Sequence, residues 1–133
     1  MLSALALPLS LSAQTTTPPT GYKMVWSDEF NGTSLDTKVW NIEENGNGGG
    51  NQELQYYRKE NVAVANGNLV LTARRENYNN KQFTSGRINS RDKAYFKHGI
   101  IQARIKFPKT ANGVWPAYWM MGNDYGKLGW PRC

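Results

Sequence analysis

Between Asn61 and Arg74 two alternating runs, Asn61-Val-Ala-Val-Ala65 and Asn68-Leu-Val-Leu-Thr-Ala-Arg74, flank the dipeptide Asn66-Gly67. Asn-Gly supplies the positive φ angles that a two-residue turn requires, so this stretch is expected to fold back on itself as a β-hairpin. The segments around it carry the same kind of signal. Tyr22–Trp26, Gln52–Tyr57, Phe83–Ser90, His98–Phe107 and Gly113–Gly122 each read as a strand, giving seven candidates with the hairpin's two. In His98–Phe107 the alternation assigns Ile101, Ala103, Ile105 and Phe107 to a core and Gln102, Arg104 and Lys106 to solvent. No amphipathic helix of ordinary length occurs. Ser34–Trp40 reads as one helical turn, with Ser34 or Asp36 as its cap. Short strands separated by turn signals imply an all-β sandwich or barrel.

Glycine marks three places where the backbone is constrained. Asn45–Asn51 (NGNGGGN) has no following Gly-Lys-Ser/Thr and opens no helix, so a tight turn is expected there rather than a phosphate cradle. Gly86, inside the Phe83–Ser90 strand, implies a bulge or a close backbone approach. Gly113–Gly122 (GVWPAYWMMG) sets Trp115, Ala117, Trp119 and Met121 on one face of a strand and Val114, Pro116, Tyr118 and Met120 on the other. Large apolar groups on both faces need covering on both sides.

Residues 1–13 hold an apolar, uncharged run, Leu2–Ala13, that reads as the h-region of a secretory signal with Ala13-Gln14 as the cleavage point. The run is too short to span a bilayer. Gln14–Gly21 (QTTTPPTG) reads as a Thr/Pro linker, and the folded domain is expected over residues 22–133. The single cysteine, Cys133, excludes an intrachain disulfide. The net charge of +6 comes without a long basic run, which argues against a dedicated nucleic-acid arm. A single-strand binder built on charge and aromatics is the weakest of the functional readings.

His98 is the one histidine and has no second histidine or cysteine at zinc spacing. Gly-x-Ser-x-Gly is absent. Glycoside hydrolysis needs two carboxyl groups, about 5–5.5 Å apart for retention or about 6.5–9.5 Å for inversion. The acidic residues show no such pair on one strand face. Glu53, beside Asn51 and Tyr57, is expected to be an orienting hydrogen-bond acceptor rather than a general acid. The aromatics carry more signal, with five Trp and seven Tyr in a short polar chain. Trp115 and Trp119 would stand roughly 13 Å apart along a strand, a spacing that suits stacking on different rings of an oligosaccharide. A place in the core is the alternative for both.

Five segments, in order, resemble the markers of glycoside hydrolase family 16. They are Val25–Gly32 (VWSDEFNG), Gly50–Tyr57 (GNQELQYY), Ser85–Ile88 (SGRI), Gly113–Met120 (GVWPAYWM) and Gly129–Pro131 (GWP). The resemblance runs from Tyr22 to Cys133 and is greatest to the laminarinase-like endo-β-1,3-glucanases. It implies a concanavalin-like jelly-roll β-sandwich, of which this chain would form the N-terminal part, and a secreted or periplasmic enzyme acting as a monomer on β-glucan with retention. In the family the nucleophile and acid/base lie in a Glu-x-Asp-x-x-Glu strand just after Gly-Trp-Pro. No such motif occurs in these 133 residues, so no catalytic residue is assigned, and the polypeptide by itself is expected to be inactive. What the resemblance does imply is substrate binding by Asn51, Arg87, Trp115, Trp119 and Trp130. No cofactor is required, but some members hold a structural calcium, for which Glu29 and the Gly67 carbonyl match the ligands. A non-catalytic β-glucan-recognition protein on the same scaffold is the alternative.

Overall fold

The computed structural model describes residues 17–109 and 113–133. The Leu2–Ala13 run, the start of the linker and the Thr110–Asn112 turn lie outside the described residues. The chain divides into two compact units, one up to Ser90 and one from Arg91 to Cys133. Charge divides with them. Eight of the sixteen Lys and Arg but only two of the ten Asp and Glu fall in residues 91–133. The formal +6 therefore belongs to the second unit, and the first is balanced.

Among its described residues the first unit holds six short strands: β1 (Asn41–Ile42), β2 (Gln55–Tyr57), β3 (Val62–Ala65), β4 (Asn68–Leu71), β5 (Phe83–Ser85) and β6 (Ile88–Asn89). They pair as β1–β6 antiparallel, β2–β5 parallel and β3–β4 antiparallel. The β3–β4 hairpin forms in the expected place. Ala65 faces Asn68 across the turn, and Asn66 and Gly67 take φ of 52° and 69°, the left-handed values of a two-residue hairpin turn. The expected helical turn also forms. The Asp36 carbonyl accepts from Val39 and Trp40 N–H, and its carboxylate accepts from Lys38 N–H at 2.9 Å, so Asp36 rather than Ser34 is the cap.

Asn61 and Thr84 are the most buried side chains described, each 1% exposed. The Asn61 amide donates to the Thr72 carbonyl at 2.7 Å and to Thr84 Oγ1 at 3.0 Å. Thr84 Oγ1 in turn donates to Glu76 Oε1. This polar bolt joins the hairpin to β5, with each donor in it finding an acceptor. Gly86 follows, and a Cβ there would stand 2.5 Å from the Asn61 carbonyl oxygen. The glycine inside the expected Phe83–Ser90 strand is thus a close backbone approach, and it splits the strand into β5 and β6.

Three expected strands do not form. Tyr22–Trp26 is bound to the unit by side chains instead of a ladder. Trp26 meets Trp40 edge-on with ring centres 5.9 Å apart, while Asp28 accepts from Trp40 Nε1 at 2.7 Å and Phe30 N–H at 2.9 Å. In the second unit, His98–Phe107 and Gly113–Gly122 carry no ladder. Ile101, Ala103, Ile105 and Phe107, assigned to a core by their alternation, are exposed. Alternation expresses itself as a strand only against a hydrogen-bonded partner, and these segments have none among the described residues. The one helix among the described residues of the second unit, α1 (Tyr125–Leu128), is a single turn. No described helix is long and apolar enough to cross a membrane.

Candidate functional site

The site residues of the first unit grow out of the period of two along its strands. Successive side chains on one strand alternate between faces, so Glu53, Gln55 and Tyr57 share a face. Their hydrogen bonds show it. Tyr57 Oη donates to Glu53 Oε2 at 2.7 Å. Gln55 Nε2 donates to Tyr57 Oη at 2.8 Å and to Glu53 Oε2 at 3.2 Å. Asn51 Nδ2 reaches Glu53 Oε1 at 3.4 Å. Glu53 is therefore the acceptor that three side chains turn towards, the orienting role expected of it. The glycine-rich loop makes room for this carboxylate. A Cβ on Gly49 would fall within 2.7 Å of all three atoms of the carboxyl group, and Gly48, Gly49 and Gly50 all have positive φ.

A second row comes from the β1–β6 ladder. Asn41 pairs with Asn89 and Ile42 with Ile88, which carries the register on to Glu43 opposite Arg87. The Glu43 N–H donates to the Arg87 carbonyl at 2.9 Å. Opposed side chains of an antiparallel pair are close neighbours on one face. Arg87 Nε accordingly stands 3.1 Å from Glu43 Oε1. Asn89 Nδ2 donates to the same oxygen at 2.9 Å, Asn41 Nδ2 donates to Asn89 Oδ1 at 3.1 Å, and Asn45 Nδ2 reaches Glu43 Oε2 at 3.4 Å. The rows meet at Tyr57, whose N–H donates to the Asn45 carbonyl at 2.8 Å. The Arg87 guanidinium carbon lies 5.4 Å from the Tyr57 ring centre.

Burial pushes the Tyr57 hydroxyl above its ordinary pKa, the hydrogen bond to Glu53 pushes it the same way, and Arg87 opposes both. At neutral pH the phenol is a donor to Glu53. Chemically the surface offers amides, carboxylates and one guanidinium in a connected polar network, suited to exchanging hydrogen bonds with the hydroxyls of a neutral ligand.

Asn51 and Arg87 are thus joined through Glu53 and Tyr57. Trp115, Trp119 and Trp130 all belong to the second unit, where they are 90%, 53% and 75% exposed, so none of them is core. Glu29 is half-buried, and the Asn31 side-chain oxygen lies beside Gly67, 3.6 Å from where a Cβ would stand. Among the described residues no group of three or more His, Cys, Asp or Glu is placed to hold a metal ion. Sequence reasoning passed over Asn41, Glu43, Asn45 and Asn89. The signal for the first three was present in the polar parity of residues 41, 43 and 45, while Asn89 is found only through the ladder.

A jelly-roll sandwich class is defined by the structural neighbours of this chain. The laminarinase from Flavobacterium sp. UMI-01 superposes with a TM-score of 0.75 at 46% identity, over 84% of this chain and 48% of that one. The family described as beta-glucan synthesis-associated protein SKN1/KRE6/Sbg1 matches residues 6–131. The beta-glucanase of Rhodothermus marinus is 41% identical over 116 residues, 83% of this chain and 40% of its own length. The clotting factor G alpha subunit of Tachypleus tridentatus is 45% identical over 113 residues, again 83% of this chain but 16% of its own. The chain belongs to the SKN1/KRE6/Sbg1 family and so to the laminarinase-like group of glycoside hydrolase family 16. It spans about half the length of the solved structures it matches and less of these two curated relatives.

Proposed function

We propose that this chain is the glucan-binding part of a secreted, retaining endo-β-1,3-glucanase. The observation that carries the reading is the connected network from Asn51 through Glu53 and Tyr57 to Arg87 and Glu43. It sits in a unit of balanced charge, as befits binding of a neutral glucan. Arg87 and Asn51 hydrogen-bond sugar hydroxyls, and Trp115, Trp119 and Trp130 offer indole faces to pyranose C–H faces. The names of the relatives, laminarinase and beta-glucanase, support β-1,3-linked glucose as the substrate. Hydrolysis in the whole protein proceeds by double displacement between two carboxyl groups, and neither is assigned to a residue of this chain. Titration of the purified 133-residue chain with laminarin oligosaccharides tests the reading. Binding that Arg87→Ala weakens about tenfold, the loss of one charge-assisted hydrogen bond, is expected; no binding by the wild-type chain overturns it.

A structural calcium is part of the same proposal. Glu29 and the Gly67 carbonyl supply hard oxygen donors of the kind calcium takes. Calcium should raise the thermal midpoint of the chain and a chelator should reverse the rise; an unchanged midpoint removes the metal from the account. Export rests on the Leu2–Ala13 run, and N-terminal sequencing of the processed protein should begin at Gln14. The second reading, non-catalytic glucan recognition, is favoured by the family description, which names β-glucan synthesis and not hydrolysis. A whole protein that binds laminarin yet releases no sugar would establish it.

A further inference from the structure

We infer that Glu43 is the positioning residue for Arg87, fixing the guanidinium so that its terminal nitrogens, and not its Nε edge, face the ligand. The inference rests on the glucan-binding reading above and adds to it a residue that resemblance alone did not mark. Three features of the ladder carry it. First, Glu43 and Arg87 are opposed across β1–β6 and joined through the backbone, Glu43 N–H to Arg87 carbonyl at 2.9 Å. Neither residue can drift relative to the other without breaking the ladder. Second, the contact is to Nε, at 3.1 Å. An arginine held by Nε has one edge of its planar fork occupied, and its Nη atoms carry the donors turned away from that edge. Third, the carboxylate is itself fixed. Asn89 donates to the oxygen that Arg87 uses, at 2.9 Å, Asn45 reaches the other at 3.4 Å, and Asn89 is held in turn by Asn41 at 3.1 Å.

The pair is only partly exposed, each side chain at 24%. The guanidinium also meets Tyr57, whose hydroxyl it hydrogen-bonds and whose ring centre is 5.4 Å away. Glu43 sets the approach of the guanidinium to both, and by neutralising Arg87 it leaves a site that need not bring in a counter-ion. Charge-assisted pairs of this kind are shorter and stronger than neutral ones, so an amide at position 43 is a poor substitute. The substitution Glu43→Gln would keep the shape but place either a weaker acceptor or a second donor against Nε.

The test pairs a ligand-free readout with a ligand-dependent one. In the full 133-residue chain, the Arg87 Nε–H resonance of a nitrogen-15-labelled sample should be shifted and slowly exchanging. Glu43→Gln should move it towards the free-arginine position and speed its exchange, with the β3–β4 amide resonances unchanged. Laminarin-oligosaccharide affinity should fall about tenfold in Glu43→Gln and in Arg87→Ala alike. The double variant should be no more than about twofold weaker than either single one, the non-additivity of residues acting as a unit. Glu43→Asp should restore part of the loss. An Arg87 Nε–H resonance indifferent to Glu43→Gln overturns the positioning role whether or not glucan binds. Additive losses in the double variant overturn it as well. Absence of laminarin binding in the wild type, with the resonance responding as expected, overturns the glucan reading and leaves the pairing standing.

Discussion

At residue scale the site is a chain of donors ending on two carboxylates, and Tyr57 is the link whose state can be changed by pH. Its pKa is raised, first by burial and then by its hydrogen bond to Glu53. The folded chain therefore holds the phenolic proton more tightly than the unfolded chain does. The resulting stability is fully present below the unfolded-state pKa near 10 and is lost as pH rises through the higher folded value. Urea unfolding midpoints should fall above about pH 10 in the wild type. In Tyr57→Phe this tyrosine's share of the fall should vanish, at a cost near neutrality of about 1 kcal/mol for the lost hydrogen bond. An alkaline profile that the substitution leaves unchanged would remove Tyr57 from the titration. Glu53 was legible as an orienting acceptor because its partners Gln55 and Tyr57 lie two and four residues along the chain. Glu43 was not, because its partner Arg87 is distant in sequence, and only the β1–β6 register opposes them.

Among the elements, what was local was readable. Asn66-Gly67 specifies the β3–β4 turn by itself, and Asp36 caps its turn from two residues away. Replacing Asn66-Gly67 by Ala-Ala forces two Cβ-bearing residues of low left-handed propensity to φ of 52° and 69°. The expected cost is roughly 1–2 kcal/mol per residue, visible as a lower unfolding midpoint. Gly86→Ala should cost more than a surface alanine does, because its Cβ meets the Asn61 carbonyl at 2.5 Å and one of the two backbones must move. Loss of β5–β6 amide protection would report that movement; retained protection would show that the split strand tolerates a side chain. The misread segments fail for the opposite reason. His98–Phe107 has as clean an alternation as any stretch of the chain, yet periodicity says which residues share a face and not whether a neighbour exists to bury it.

For the whole molecule, the balance of burial decides behaviour. Val64, 9% exposed, is the one apolar side chain among the described residues that counts as buried, whereas Trp115, Trp130, Met120 and Val25 are each about two-thirds exposed or more. Small chains are marginal even with an ordinary core. The 133-residue polypeptide should bind a hydrophobic dye and unfold over a broad temperature range. A sharp transition without dye binding would contradict this. It should also release no sugar from laminarin, since it contains no Glu-x-Asp-x-x-Glu; release above background would place the chemistry on carboxylates outside that motif. The family was legible in five ordered segments, whereas the net charge that collects in residues 91–133 makes no run to read, because the Lys and Arg there stand singly.

The β1–β6 ladder has one more consequence. Asn41, Glu43, Arg87 and Asn89 occupy two same-face positions on each of two antiparallel strands, a geometry that any regular hairpin offers. The quartet is in that sense portable: a protein engineer could graft it onto an unrelated sheet and obtain an oriented guanidinium without importing the rest of the domain.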